Sequence, residues 1–149
     1  MQFTRKQIDR YSRQIILKKV GVIGQKKLLK SRVLIVGAGG LGSPISIYLA
    51  ALGIGKIGIV DKDNVEISNL SRQIIFQTND VNKKKSSTAI SKLKKINPNI
   101  KLKSFNKNLT IININKIAKN FDLIIDGSDN FRTRFLINDY CLKNKKILI

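Results

Sequence analysis

A chain of 149 residues with 29 Lys and Arg against 9 Asp and Glu, a formal charge of +20, is long enough for one domain with a substantial core. Its 22 Lys and 7 Arg are spread along the chain among many Ile and Asn. Codons rich in A and T account for that mixture, and the 6% aromatic content is not that of a surface built for specific nucleic-acid recognition. With no histidine and a single cysteine, Cys141, the chain excludes an imidazole base, an internal disulfide and a cysteine metal cluster.

Ile8, Tyr11, Ile15 and Ile16 recur at helical spacing and predict a helix over Thr4 to Lys18 with Thr4 as N-cap. A glycine-containing break at Gly21–Gly24 and a short helix Gln25–Lys30 complete an N-terminal helical arm, residues 1–30. Val33 to Val36 then form an unbroken apolar run, as a strand buried on both faces requires. Gly37, Gly39 and Gly42 supply G-x-G-x-x-G, with Gly40 as an extra glycine, and Ile45, Leu49 and Leu52 return at helical spacing. Pro44 suits the first helical turn, and Gly53 and Gly55 end the helix. Strand, glycine turn and helix in this order make the nucleotide-binding opening of a doubly wound sheet. The missing side chains let a phosphate approach the backbone, and the helix N-terminus adds N–H donors and a positive dipole end. The alternative is a glycine-rich turn that binds nothing.

Lys56 to Val60 reads as a second strand ending at Asp61, 22 residues beyond Gly39, close to where a Rossmann domain carries its ribose-binding acid. An ordinary loop acid is the other reading of Asp61. The segment Asp61–Gln73 is polar and long for a strand-to-helix joint, which marks a functional loop if it lies at the carboxyl edge of the sheet. Lys83–Lys85 reads as a solvated approach to a helix over Ser86–Ile96, which Asn97-Pro98 stops. Lys101–Phe105 is a short alternating strand, Ile112–Lys119 a weak helix and Phe121–Ile125 a buried strand leading into Asp126-Gly-Ser-Asp-Asn130. Phe131–Leu142 is an amphipathic helix in which Cys141 is a small buried residue rather than a nucleophile, and Lys146–Ile149 begins a further strand. No apolar run approaches the ~18–20 residues of a membrane span, and the first residues lack a secretory apolar region, so a cytoplasmic location is expected. The pattern is that of a Rossmann-like α/β fold, a doubly wound and mostly parallel sheet over residues 1–149, expected to be C-terminally truncated because the last strand is cut short.

The strand ends put Gly37–Gly42, Asp61 and Asp126–Asn130 on one edge of such a sheet. Asp129 stands before a helix and is either its N-cap or, facing phosphates, a ligand for Mg²⁺. Arg72 and Lys85 taken singly are surface cations. Beside a phosphate pocket they suit a triphosphate, with Arg as a bidentate fork and Lys as a point charge. A nicotinamide-dependent dehydrogenase accounts for the glycine turn and Asp61 but not for Arg72, Lys85 or Asp129. A non-catalytic nucleotide-binding remnant is a further alternative.

Arg10-Tyr-Ser-Arg-Gln-Ile15, Gly24-Gln25 with Leu28, and Val36-Gly-Ala-Gly-Gly-Leu-Gly42 closely resemble the ThiF/MoeB/HesA family, bacterial relatives of ubiquitin-activating enzymes. So do Asp61-x-Asp63-x-Val65, Ser68-Asn-Leu-x-Arg-Gln73, Lys85, Asn97-Pro98 and Asp126-x-x-Asp-Asn130, in the family's order and spacing along the whole chain. The resemblance implies an adenylyltransferase that uses ATP and Mg²⁺ on the C-terminal glycine of a ubiquitin-like sulfur-carrier protein of the MoaD or ThiS type, in molybdenum-cofactor or thiamine biosynthesis. It places Gly40 against the phosphates, Asp61 on the ribose, Asn69, Arg72 and Lys85 on the phosphates, and Asp129 on Mg²⁺. Gly37, Gly39, Gly42, Asp63, Ser68, Gln73 and Asn130 complete the nucleotide-binding set it implies. Arg13 matches an arginine that reaches the partner protomer's ATP site, which implies a homodimer, and Arg13, Arg72 and Asp129 are the expected catalytic residues. Family members continue well beyond the equivalent of Ile149, often with two Cys-x-x-Cys zinc pairs that have no counterpart in this chain. The missing histidine fits this chemistry: a terminal carboxylate, with a pKa near ~3.5, is already ionised at neutral pH and needs no general base.

Overall fold

Thr4 starts the first helix through a reciprocal pair of hydrogen bonds: Gln7 N–H donates to Thr4 Oγ1 (3.2 Å) and Thr4 N–H donates to Gln7 Oε1 (3.0 Å). The computed structural model describes residues 3–149. Helix α1 runs Arg5–Ile15, shorter than the expected Thr4–Lys18, and the chain turns over Ile16–Val20. Helix α2 is Gly21–Lys30, so the break lies before Gly21 and not across Gly21–Gly24. The positive φ of Gly21 (58°) carries the turn between the two helices, and Gly24, once inside α2, costs only about 1 kcal/mol relative to Ala.

Strand β1 (Arg32–Val36) pairs in parallel with β2 (Lys56–Val60) on one side and β4 (Leu123–Asp126) on the other. Strand β3 (Lys101–Phe105) flanks β2 and β5 (Ile147–Leu148) flanks β4, giving a five-stranded, all-parallel sheet in the order β3-β2-β1-β4-β5. Period-two alternation sends Val33, Ile35, Ile57 and Ile59 to one face. There they pack with α3 (Gly42–Leu52) and α4 (Lys85–Ile96). Leu34, Val36, Val60 and Ile124 go to the other face, against α5 (Ile114–Ala118) and α6 (Phe131–Asn144). Helices on both faces of a parallel sheet are what its apolar strands require, and the fold is Rossmann-like α/β as expected. Cys141 lies in the second core, 3% exposed, where burial pushes its thiol above the ordinary value.

The buried face of α3 differs from the expected Ile45–Leu49–Leu52 stripe. Ser43, Ser46 and Ala50 are its fully buried side chains, while Ile45 and Leu49 are half-buried and Leu52 is 37% exposed. Small residues let α3 sit close to the sheet, and both hydroxyls are satisfied: Ile75 N–H donates to Ser43 Oγ (2.8 Å) and Ser46 Oγ donates to Ser43 C=O (2.7 Å). Gly53 caps α3 in the left-handed region (φ 84°), and a Cβ there would come within 2.6 Å of the Tyr11 ring. Tyr11, fully buried, accepts a hydrogen bond from Asn97 Nδ2 (2.9 Å), which also donates to Ala50 C=O (2.8 Å). Through these contacts the two N-terminal helices are fastened to α3 and to the end of α4. Among the described residues no helix is long and apolar enough to cross a membrane.

Candidate functional site

At the carboxyl edge of the sheet, where the chain order reverses between β1 and β4, an open cleft of about 620 Å³ forms. Such a reversal parts the loops that leave neighbouring strands in opposite directions, and ligands of open α/β sheets bind there. The glycine turn forms its base. Gly37 has φ 91°, and a Cβ on it would lie 2.6 Å from the carbonyl oxygen of Gly127; a Cβ on Gly42 would overlap the carbonyl oxygen of Gly37. These two glycines are demanded by the backbone itself. Gly39 and Gly40 are different. The nearest atoms to their virtual Cβ positions are the ends of Gln73 (3.9 Å) and Arg72 (3.7 Å), so both face open space in the cleft. Their bareness gives a ligand access to the main chain.

Asp61 leaves β2 half-buried in the cleft wall. Its Oδ2 accepts the Ala38 N–H of the glycine turn (2.8 Å) and its Oδ1 accepts the Asp63 N–H (2.8 Å). Burial raises its pKa above the ordinary 3.8, opposed by those two amides and by Lys85. Each carboxylate oxygen retains a further lone pair for a ligand hydroxyl. Lys85 opens α4 only 7% exposed, with its amide donating to Asp63 C=O (2.9 Å) and its ammonium 3.8 Å from the Asp63 carboxylate. Lys83 and Lys84 are exposed as expected of a solvated run, but Lys85 is turned inward to line the cleft. Its position follows from a small antiparallel contact: Val65 N–H donates to Lys83 C=O (2.8 Å) and Asn82 N–H to Val65 C=O (2.8 Å), lashing the long polar loop to the start of α4.

Within that loop Asn69, Arg72 and Gln73 all line the cleft, whereas Ser68 does not; its carbonyl instead accepts Arg72 Nη1 (3.1 Å) and steadies the guanidinium. Asn69 Oδ1 accepts Glu66 N–H (3.1 Å), closing the short 3₁₀ turn Ile67–Asn69. Gln73 is 3% exposed, and its Oε1 has no hydrogen-bond partner among the described residues. The expected N-cap role of Asp129 falls to its neighbour: Asn130 Oδ1 accepts Thr133 N–H (2.9 Å), and Asn130 has the extended backbone of a cap. Asp129 is left exposed in the cleft, its carboxylate not used in capping. Arg13 is exposed on α1 and is not part of the cleft of its own chain.

The cations Lys62, Lys107 and Arg134 were not anticipated in the lining, whereas Gly127 and Ser128 belong to the Asp126–Asn130 stretch expected on this edge. Gly127 packs its backbone on Gly37, and a Cβ on it would lie 3.2 Å from that glycine's carbonyl oxygen. Lys107 follows β3, Ser128 follows β4, and Arg134 lies one turn into α6, its Nη2 donating to Ser128 C=O (3.2 Å). The ends of β3 and β4 were legible, so the position of Lys107 on the same edge could have been inferred from strand order alone. Lys62, Arg72, Lys85, Lys107 and Arg134 thus line the same cleft as the bare glycine turn. Among the described residues no three carboxylates or other ligating side chains gather to hold a metal by themselves. A lone carboxylate beside a phosphate pocket nevertheless suits Mg²⁺, which takes one or two carboxylates and completes its shell with phosphate oxygens and water.

Residues 11–149 match the ThiF family. The chain is 48% identical over 147 residues to the probable molybdopterin-synthase adenylyltransferase of Porphyra purpurea, covering 99% of this chain and 38% of that protein. It is 43% identical to the sulfur carrier protein adenylyltransferase of Thermus thermophilus, covering 100% of this chain and 55% of that one. The chain therefore spans between about two fifths and just over half the length of these relatives. Among solved structures, Escherichia coli tRNA N6-threonylcarbamoyladenosine dehydratase, TcdA, in complex with ATP superposes with a TM-score of 0.92 at 26% identity, covering 99% of this chain and 60% of that one.

Proposed function

The chain belongs to the ThiF family, and we propose that it supplies the ATP-binding part of an adenylyltransferase acting on the C-terminal glycine of a ubiquitin-like sulfur-carrier protein, in molybdenum-cofactor or thiamine biosynthesis. The observation that carries this reading is that Arg72, Lys85, Lys107 and Arg134 line one cleft together with the bare backbone of Gly39 and Gly40. A dinucleotide's pyrophosphate needs only a glycine turn and a helix N-terminus, whereas this density of cations suits a triphosphate. The names of the relatives point to the same chemistry, and TcdA holds ATP on the same fold.

In this reading Asp61, fixed by the Ala38 and Asp63 amides, accepts the ribose hydroxyls. The bare main chain of Gly39 and Gly40, with Asn69, Arg72 and Lys85, holds the phosphates, while Asp63 tethers Lys85 and Ser68 steadies Arg72. Gln73 lines the same cleft beside Gly39, and Asn130 orders the turn that presents Asp129. Asp129 would hold Mg²⁺, which when bound offsets phosphate charge. The carrier's terminal carboxylate attacks the α-phosphorus; a carboxyl oxygen–phosphorus bond forms, the bond to the β-phosphate oxygen breaks, and pyrophosphate leaves with its charge met by Arg72 and Lys85. Arg13, exposed and outside its own chain's cleft, serves the cleft of a second copy, so the working unit is a homodimer.

Carrier-dependent exchange of labelled pyrophosphate into ATP tests the proposal. Exchange that requires a carrier ending in glycine, and falls by about 10²–10³ in Arg72→Ala, is the expected result. ATP binding without exchange in the presence of either carrier type would contradict it and leave a nucleotide-binding module.

A further inference from the structure

From Val81 to Phe121 the sequence contains eleven lysines and no Asp or Glu. This stretch builds α4, the edge strand β3 and α5, with α4 and α5 on opposite faces of the sheet. Together α4 and β3 enclose a groove of about 720 Å³, separate from the nucleotide cleft. Ile90, Ile100 and Leu102 give it an apolar floor, and Lys94, Lys95 and Lys101 stand on its rim. Lys94 Nζ donates to Pro98 C=O (2.7 Å), while Lys95 and Lys101 are exposed.

The groove runs beside an open sheet edge. Strand β3 pairs only with β2, and its ladder uses alternate residues: Lys101 N–H donates to Gly55 C=O (2.9 Å), and Phe105 C=O accepts Asp61 N–H (3.1 Å). In a parallel ladder the N–H and C=O of one residue point the same way and those of the next point oppositely. Leu102 and Ser104 therefore turn their amides and carbonyls outward, and neither has a backbone partner among the described residues. Lysines on an edge normally prevent another copy from pairing there, since Lys101 and Lys103 would meet their like. The same lysines favour a strand of opposite charge.

We infer that the free edge of β3 accepts an extended acidic polypeptide segment as a sixth strand, its backbone bonded to Leu102 and Ser104, its apolar side chains on the groove face with Leu102 and its carboxylates on the opposite face with Lys101 and Lys103. This is strand addition, in which the main chain gives affinity and alternate side chains give specificity. The crowding of cations here supports it: burial and then the charges of Lys103, Arg32 and Lys101 lower the pKa of Lys56. A nucleic acid fits less well, because single-strand binding uses exposed aromatics for stacking. Phe105 and Phe121, the aromatics of this stretch, pack edge-to-face on each other (6.4 Å between centroids).

The test uses the whole 149-residue chain and a short peptide alternating glutamate with valine. The peptide should slow amide exchange at Leu102 and Ser104 by at least ~10-fold and leave Lys103, already bonded to β2, unchanged. Ser104→Pro removes one outward N–H without touching the β2 ladder and should weaken binding at least ~10-fold, as edge positions tolerate proline. The double variant Lys101→Glu, Lys103→Glu carries the test independently of any disturbance by proline, and should prefer a lysine–valine peptide. Equal protection by single-stranded oligothymidine, protection that appears on raising the protein concentration alone, or binding indifferent to both variants would overturn the inference.

Discussion

Asp129 and Asn130 are adjacent, and their duties can be separated by substitution. Asn130→Ala removes the side-chain cap of α6 and should cost about 1 kcal/mol of stability in urea unfolding. Asp129→Ala should leave stability within about 0.5 kcal/mol of the parent while abolishing Mg²⁺-dependent adenylation. The reverse pattern would exchange their roles. The glycines divide in the same way. Gly42→Ala forces a methyl into the carbonyl of Gly37 and should destabilise by about 3 kcal/mol or more. Gly40→Ala meets only the Arg72 side chain, so it should fold normally and lose affinity for ATP. Titration gives a third handle. The folded Asp61 carboxyl has its pKa raised, chiefly by burial, so the folded chain holds this proton to higher pH than the unfolded one. Its contribution to stability is largest below the ordinary 3.8 and declines as pH rises through the folded value. The stability of Asp61→Asn relative to the parent should therefore increase with pH across that window, and a decrease would show that the amides and Lys85 outweigh burial. Of these residues the glycine turn, Asp61, Arg72 and Asp129 were legible in the sequence because their spacing is local. Arg134 and Lys107 were not, since their place in the cleft depends on the order of the strands they follow.

Between elements, α1 is tied to α3 and the end of α4 through the buried Tyr11–Asn97 pair, and α2 through Gln25, whose Nε2 donates to Leu52 C=O (2.9 Å). Tyr11→Phe leaves an Asn97 N–H without its partner and should cost about 1–3 kcal/mol, measured by urea unfolding; an unchanged midpoint would mean that water replaces the hydroxyl. The spans of β2 and β3 were readable to the residue, because alternation or unbroken apolarity is a local property. The break between α1 and α2 was misplaced because glycine signals only that a turn is allowed. Gly21 uses that freedom, and Gly24 does not. The helical spacing of Ile45, Leu49 and Leu52 held, and Ile45 and Leu49 pack partly buried on the core, but spacing alone does not name the most buried residues. Hydrophobic periodicity marks Ile45 and Leu49, yet close approach to the sheet selected Ser43, Ser46 and Ala50, whose burial depends on partners in the later loop.

For the whole molecule, the β3-β2-β1-β4-β5 order determines the chemistry that is possible. It brings the glycine turn after β1, Asp61 after β2, Lys107 after β3 and Asp129 after β4 to one edge, while the groove between α4 and β3 shares none of its lining residues with that cleft. The alternation of strands and helices made this class of fold readable beforehand, but the cation content of the cleft emerged only with the sheet order. The central claim is that this cleft is an ATP site. Thermal unfolding of the 149-residue chain alone, with ATP and Mg²⁺, and with NAD tests it most directly, because a ligand that binds only the folded state raises the midpoint. A midpoint raised by ATP and Mg²⁺ but not by NAD, with the rise lost in Lys85→Ala, is the predicted result. A rise with NAD and none with ATP would contradict it.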